Sequence, residues 1–206
     1  IDNGKTWSRH SIVWDLTETG ITIGSYGLWE PHLGMLNGEL ACFFAIGKTV
    51  YGGEHIINSV DIFVWRGAGW VRADYTSDDG RMNIKNGMPV WCELKDGGYA
   101  MVVESTRNKN TTGAPLVTKL LTSTDGIAWK NITTVYVPEV SGKRSAAPYI
   151  VQLPDGRVVV SFQTDDETPA GMDGKGLAIM KISVSAEGKA INRLTTDDFS
   201  EPYAPF

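Results

Sequence analysis

Ala147-Pro-Tyr-Ile-Val-Gln-Leu-Pro-Asp-Gly-Arg-Val-Val-Val-Ser-Phe-Gln163 holds two short apolar runs, Pro148 to Leu153 and Arg157 to Phe162, on either side of Pro154-Asp155-Gly156. β-Branched runs broken by a Pro-Asp-Gly turn read as a β-hairpin. The phrase occurs twice earlier: as Met88-Pro89 to Glu104, turning at Lys95-Asp96-Gly97-Gly98, and as Trp29-Glu30-Pro31 to Phe44, turning at Asn37-Gly38. Its turn glycines, Gly38, Gly97 and Gly156, stand 59 residues apart in both intervals. Self-similarity at such a period marks an array of like supersecondary units.

Each hairpin is followed by another. Val60 to Val64 passes through Trp65-Arg66-Gly67-Ala68-Gly69-Trp70 into Val71 to Tyr75, and Val117 to Ser123 passes through Thr124-Asp125-Gly126-Ile127-Ala128-Trp129 into Ile132 to Val137. Trp70 and Trp129 keep the same 59-residue spacing. In the third unit the pattern thins to Leu177 to Val184, a turn at Glu187-Gly188, and a weak last strand near Ala190 to Leu194. Four short antiparallel strands per unit, joined by Gly/Asp turns, define an all-β chain built from β-propeller blades. No stretch sustains a helical period.

The N-terminal Asp2-Asn3-Gly4-Lys5-Thr6-Trp7, followed by Ser8 to Leu16, reads as the end of a further blade. This phrase resembles the Asp-box (BNR repeat) of sialidase-like propellers, and Ser123 to Trp129 resembles a shortened form of it. In such a turn the Asp side chain accepts backbone N–H groups, glycine supplies a positive φ, and the Trp covers the hairpin end. The motif speaks for architecture rather than chemistry. The reading is thus a partial propeller: the end of one blade at 1–16, blades at 26–76, 84–138 and 144–195, and 196–206 as a tail or the start of the next blade. Three blades and a strand are about half of a six-bladed ring. Self-association with another copy, or a remainder of the propeller, is expected to complete it, because an open array leaves a strand edge and apolar faces uncovered.

Composition bounds the function. The chain has 206 residues, 42% hydrophobic, with a formal net charge of −5 and a pI near 5.2. That balance lacks the basic face a nucleic-acid partner requires. No apolar run approaches a membrane span. Cys42 and Cys92 fall in predicted strands and read as buried thiols, with a single disulfide as the alternative. His10, His32 and His55 make no metal-ligand spacing with each other or with the cysteines, so neither metal nor cofactor is expected.

The chemistry lies where the repeats differ. In an antiparallel blade the start of the first strand and the end of the second lie at one rim, near the propeller axis. Glu30 starts a first strand; Glu104 ends a second strand one unit later, in Ala100-Met-Val-Val-Glu104. Alternation places Glu104 in a row with Ala100 and Val102, and its counterparts are Ala45 and Gln163, so the repeat itself requires no acid there. Two carboxylates at one mouth suit glycoside hydrolysis, one as acid/base and the other as nucleophile or base. An acid at a strand end also serves as a solvated rim residue or as the partner of an arginine such as Arg107 or Arg144. Around the pair, Trp29, Tyr26 and Tyr149 are candidates for stacking on sugars. His32, Gln163 and Asp165 are candidates for hydrogen bonds to them.

These phrases together resemble the sialidase-like glycoside hydrolases, most closely the exo-α-1,5-arabinanases of glycoside hydrolase family 93. The resemblance implies a secreted or periplasmic six-bladed enzyme that releases arabinobiose from linear arabinan with retention. It implies a nucleophile at Glu30 and an acid/base at Glu104. True sialidases are the neighbouring alternative, but they need three arginines around the substrate carboxylate, and Arg66 and Arg157 fall in turns far from the mouth. A non-catalytic carbohydrate-binding or interaction propeller is the alternative of another class.

Overall fold

The structure is a computed structural model that describes residues 3–8, 10–16, 27–46, 49–51, 54–56, 59–75, 86–106, 115–168 and 179–200. Their regular structure is thirteen strands and two single-turn 3-10 segments, Ile191–Arg193 and Thr196–Asp198. The first sheet runs β1 (Leu28–Leu36), β2 (Glu39–Ile46), β5 (Ser59–Trp65), β6 (Trp70–Tyr75), in that order. A two-stranded excursion, β3 (Thr49–Tyr51) with β4 (Glu54–Ile56), interrupts it. The second sheet is β7 (Asn86–Glu93), β8 (Tyr99–Thr106), β9 (Leu116–Ser123), β10 (Lys130–Tyr136). The third is β11 (Ser145–Gln152), β12 (Val158–Thr164), β13 (Ile179–Val184). Every pairing is antiparallel, and apart from the β3–β4 excursion between β2 and β5 each strand pairs with the next in the chain, as expected of propeller blades.

The second sheet lies between the other two. On one face Met101 and Val103 meet Phe43, Val60 and Ile62 of the first sheet; on the other Ala100, Val102 and Leu120 meet Ile150, Val160 and Phe162 of the third. Strand alternation makes this two-sided burial possible, and β8 is accordingly buried at nearly every position. Phe43, fully buried, packs on Trp91 and Trp129 with ring centroids 5.3 and 5.9 Å away. Burying one such side chain contributes about 1.5–3 kcal/mol.

The turn Thr124 to Trp129 behaves as its sequence implies. Asp125 Oδ1 accepts the N–H groups of Ile127 (2.8 Å) and Ala128 (2.9 Å), and the Trp129 indole donates to the Gly126 carbonyl at 2.9 Å. Trp7 makes the same bond to Gly4, also at 2.9 Å. Gly126 is required twice over: its φ is +75°, and a Cβ there would lie 2.1 Å from Leu36 Cδ1 of the neighbouring sheet.

Two expectations are corrected. Among the described residues of 8–16 there is no strand; instead Val13 and Trp14 pack on Phe44 and Phe63 at the outer face of the first sheet. The last strand expected at Ala190 to Leu194 is a 3-10 turn, and Phe199 forms the fourth edge through a bridge to Ser185. Short backbone bonds from Ala186 to Asp198 and from Ser200 to Val184 explain why this edge lies later in the chain. The thiol reading of Cys42 and Cys92 stands: both are free, Cys42 buried and Cys92 partly buried, and burial pushes both up to about 11.

The far face of the third sheet exposes Tyr149, Val151, Met180 and Ile182. By the 59-residue period Tyr149 and Val151 are the counterparts of Val90 and Cys92, which are packed between sheets.

Candidate functional site

The Xaa-Pro step that opens each phrase has an unusual backbone. Glu30, Met88 and Ala147, each followed by proline, have φ of 55°, 49° and 51°. In each inner strand the register slips at this step, between Trp29 and His32, Gly87 and Val90, and Ala146 and Tyr149. A residue before proline is pushed toward extended backbone, and a non-glycine residue at positive φ costs of order 1–3 kcal/mol. Three identical bulges at one rim are therefore a built feature of the blade, and bulges of this kind re-aim side chains.

Glu30 sits in the first bulge and is exposed; its Oε2 accepts the N–H of Met88, in the second bulge, at 3.1 Å. Glu104 is 5% exposed and pairs in register with Gly87 on one side and Thr118 on the other. A Cβ placed on Gly87 would lie 3.1 Å from Glu104 Oε1 and 3.3 Å from its Cγ. The two glutamates thus flank one dipeptide, Gly87–Met88, Glu30 from the first sheet and Glu104 from the wall facing the third. Nearby, Thr118 Oγ1 and Ser145 Oγ are 3.1 Å apart and join the second and third sheets at this rim.

Below the bulges the inner strands line a groove of about 620 Å³, with Leu33, Met35, Trp91, Glu93, Tyr149 and Gln152 among its walls. Trp29 is 43% exposed at the rim, whereas Tyr149, 56% exposed and paired with Ser161, shares the far face of the third sheet with Gln163. His32 lines the groove but is half-buried, edge-on to Trp91 at 5.9 Å. Burial lowers its pKa, against the opposing effect of a hydrogen bond to the Trp91 backbone.

Other candidates are placed elsewhere. Gln163 alternates with the inward Phe162, so it lies on the face of the third sheet turned away from Glu104. Asp165 is buried, and its Oδ1 accepts the Arg144 N–H at 2.7 Å while Oδ2 faces Arg144 Nε at 3.7 Å. It staples the approach to β11 instead of opening onto the groove. Tyr26 and Arg107 lie outside the described residues. Arg66 pairs with Glu39 and Arg157 with Asp155, each at 2.7 Å, in turns at the rim opposite the glutamates. Among the described residues no cluster of three or more His, Cys, Asp or Glu side chains suits a metal ion, and no helix is long and apolar enough to cross a membrane.

Two features escaped the sequence reading. Gly87 could have been found, since its counterparts are Trp29 and Ala146. The buried network of Asp166 with Tyr136 Oη (2.7 Å) and the N–H groups of Glu139 and Val140 carries no period signal. Burial pushes the Asp166 carboxyl up, but these bonds together hold it below its ordinary value.

No protein-family profile matches the chain, and no curated protein matches it. Solved structures do. The glycoside hydrolase family 93 α-L-arabinofuranosidase of Fusarium graminearum, in complex with arabinobiose, superposes with a TM-score of 0.63 at 17% identity, over 98% of this chain and 56% of that one. A Dyadobacter fermentans protein of unknown function gives 0.58 at 17% identity, over 86% and 50%. An α-L-arabinofuranosidase from Lactobacillus brevis gives 0.58 at 13%, over 85% and 55%. The chain therefore spans about half the length of the structures it resembles. At these identities the likeness establishes the fold alone, a β-propeller.

Proposed function

We propose that this chain carries the catalytic mouth of a retaining, exo-acting glycoside hydrolase that works outside the cytoplasm on arabinan or a related glycan. The observation that carries the reading is the convergence of Glu30 and Glu104 on Gly87–Met88. Two carboxylates in unlike settings suit unlike roles. Glu30, exposed and accepting a backbone N–H, suits the nucleophile, since such a donor stabilises an ionised carboxylate. Glu104, buried beside Val102, suits the acid/base. It would protonate the leaving oxygen as Glu30 attacks the anomeric carbon, then take a proton from the water that releases the sugar. A separation of about 5–5.5 Å between the carboxyl groups belongs to this retaining course. Trp29 offers an exposed ring for a sugar face, and the arabinobiose complex of the Fusarium enzyme supports a short arabino-oligosaccharide as ligand.

The test is hydrolysis of debranched arabinan by the full-length gene product, with Glu30→Gln and Glu104→Gln beside it and sialyl conjugates as the comparison substrate. The expected result is release of a short arabino-oligosaccharide with retained anomeric configuration, reduced at least about 10²-fold in each variant. Unchanged turnover in both variants overturns the assignment. Cleavage of the sialyl conjugate alone would make the protein a sialidase, and glycan binding without turnover a binding module.

A further inference from the structure

Gly87 has no backbone reason to be glycine. Its φ lies outside the left-handed region, and it sits within the paired length of β7, where any L residue fits the backbone. Its reason is space. The cross-strand pairs at this level of the three blades are Trp29 with Ala45, Gly87 with Glu104, and Ala146 with Gln163. The largest residue faces a small one in the first blade, and the smallest faces an acid in the second. The three nearest atoms a Cβ at 87 would meet all belong to the Glu104 side chain: Oε1 at 3.1 Å, Cγ at 3.3 Å and Cδ at 3.6 Å. The next residue, Met88, turns its N–H onto Glu30 Oε2 at 3.1 Å.

We propose that Gly87–Met88 is a positioning element that sets the relation between the two carboxylates: the missing side chain at 87 gives Glu104 its place, and the N–H of the following residue holds Glu30. This rests on the pairing of Glu30 and Glu104 as a catalytic couple. A methyl group at 87 forces the Glu104 carboxyl to shift by a few tenths of an ångström, and misplacement of a reacting group by about 1 Å can cost 10²-fold in rate.

The experiment is a graded series, Gly87→Ala, Gly87→Ser and Gly87→Val, in the full-length gene product acting on debranched arabinan. We expect kcat to fall about 3–10-fold for Ala and further for Ser and Val, with KM changed less than about twofold. The melting temperature of the Ala variant should hold or rise, because replacing glycine at a compatible backbone position restricts the unfolded chain. In a Glu104→Gln background Gly87→Ala should add no further loss. Independently of turnover, the Glu104 carboxyl 13C resonance should move in Gly87→Ala. Wild-type kcat in the Ala variant of an enzyme that Glu104→Gln inactivates overturns the positioning role and leaves the catalytic pair standing. An unmoved Glu104 resonance overturns it as well. An enzyme indifferent to Glu104→Gln overturns the pair itself, and the positioning role with it.

Discussion

Replacing Arg72 with methionine tests what holds the outer half of the first sheet together. Asp61 on β5 is fully buried, and Arg72 on β6 is 13% exposed. The guanidinium grips the carboxylate at both oxygens, Nε to Oδ2 at 3.1 Å and Nη2 to Oδ1 at 2.7 Å. Asp61 alternates with Ile62, which is packed toward the second sheet, so the ion pair lies on the opposite face, in register with Phe44. Arg72→Met keeps the aliphatic bulk and removes the charge, leaving Asp61 ionised without its guanidinium in a dry setting. Breaking one side of a buried pair costs about 3–5 kcal/mol. For a chain of this size each kcal/mol lowers the melting temperature by about 2–4 °C, so a fall of about 6–20 °C is expected. The double variant Asp61→Leu/Arg72→Met removes both charges and should recover most of the loss, since apolar replacement of a whole buried pair is often neutral or better. The assay is thermal and urea unfolding of wild type, both single variants and the double variant, read as a double-mutant cycle. A loss below about 1 kcal/mol in Arg72→Met, the worth of an exposed pair, refutes the reasoning. A double variant no better than the single one refutes it too.

Asp125→Ala should lower stability by about 0.5–2 kcal/mol, the range for losing a side chain that caps backbone N–H groups. The bonds to Ile127 and Ala128 hold the Asp125 carboxyl below its ordinary pKa. A depressed carboxyl contributes fully above the unfolded-state value and loses that contribution as pH falls through the folded one. The stability gap between wild type and Asp125→Ala should therefore be widest near neutrality and close in acid; a gap that grows on acidification contradicts this. Both thiols, raised to about 11 by burial, should react with iodoacetamide at pH 8 roughly two orders of magnitude more slowly than an ordinary cysteine. Full reactivity should return in denaturant, and mass spectrometry of timed samples decides it.

Much of the fold was legible because blades are local. A strand, a tight turn and the next strand are neighbours in sequence, so Asn37-Gly38, Asp96-Gly97 and Asp155-Gly156 announce the hairpins that form β1–β2, β7–β8 and β11–β12. The strand starts were less legible. The apolar runs begin at or after the proline, or at Glu30 just before it, yet β1, β7 and β11 begin at Leu28, Asn86 and Ser145, three residues before the proline in each case. The bulge lets the ladder resume across a residue that lacks an N–H, and nothing in a β-propensity pattern signals this. The edge at Phe199 was missed for a related reason: its pairing with Ser185 depends on the 3-10 turns between them, not on alternation.

The sequence by itself determined the antiparallel all-β architecture, the 59-residue unit, the Asp125 turn and the two acids that the repeat does not explain. Each of these depends on local chain chemistry or on comparing one unit with the next, which a linear string contains. Only the tertiary structure decided that Glu30 and Glu104, from different blades, meet at the same dipeptide. Only it decided that Asp165 is spent on Arg144. The meeting depends on how far one blade rotates against the next and on a left-handed backbone step at Met88. Packing between sheets fixes both, at a range no periodicity reaches.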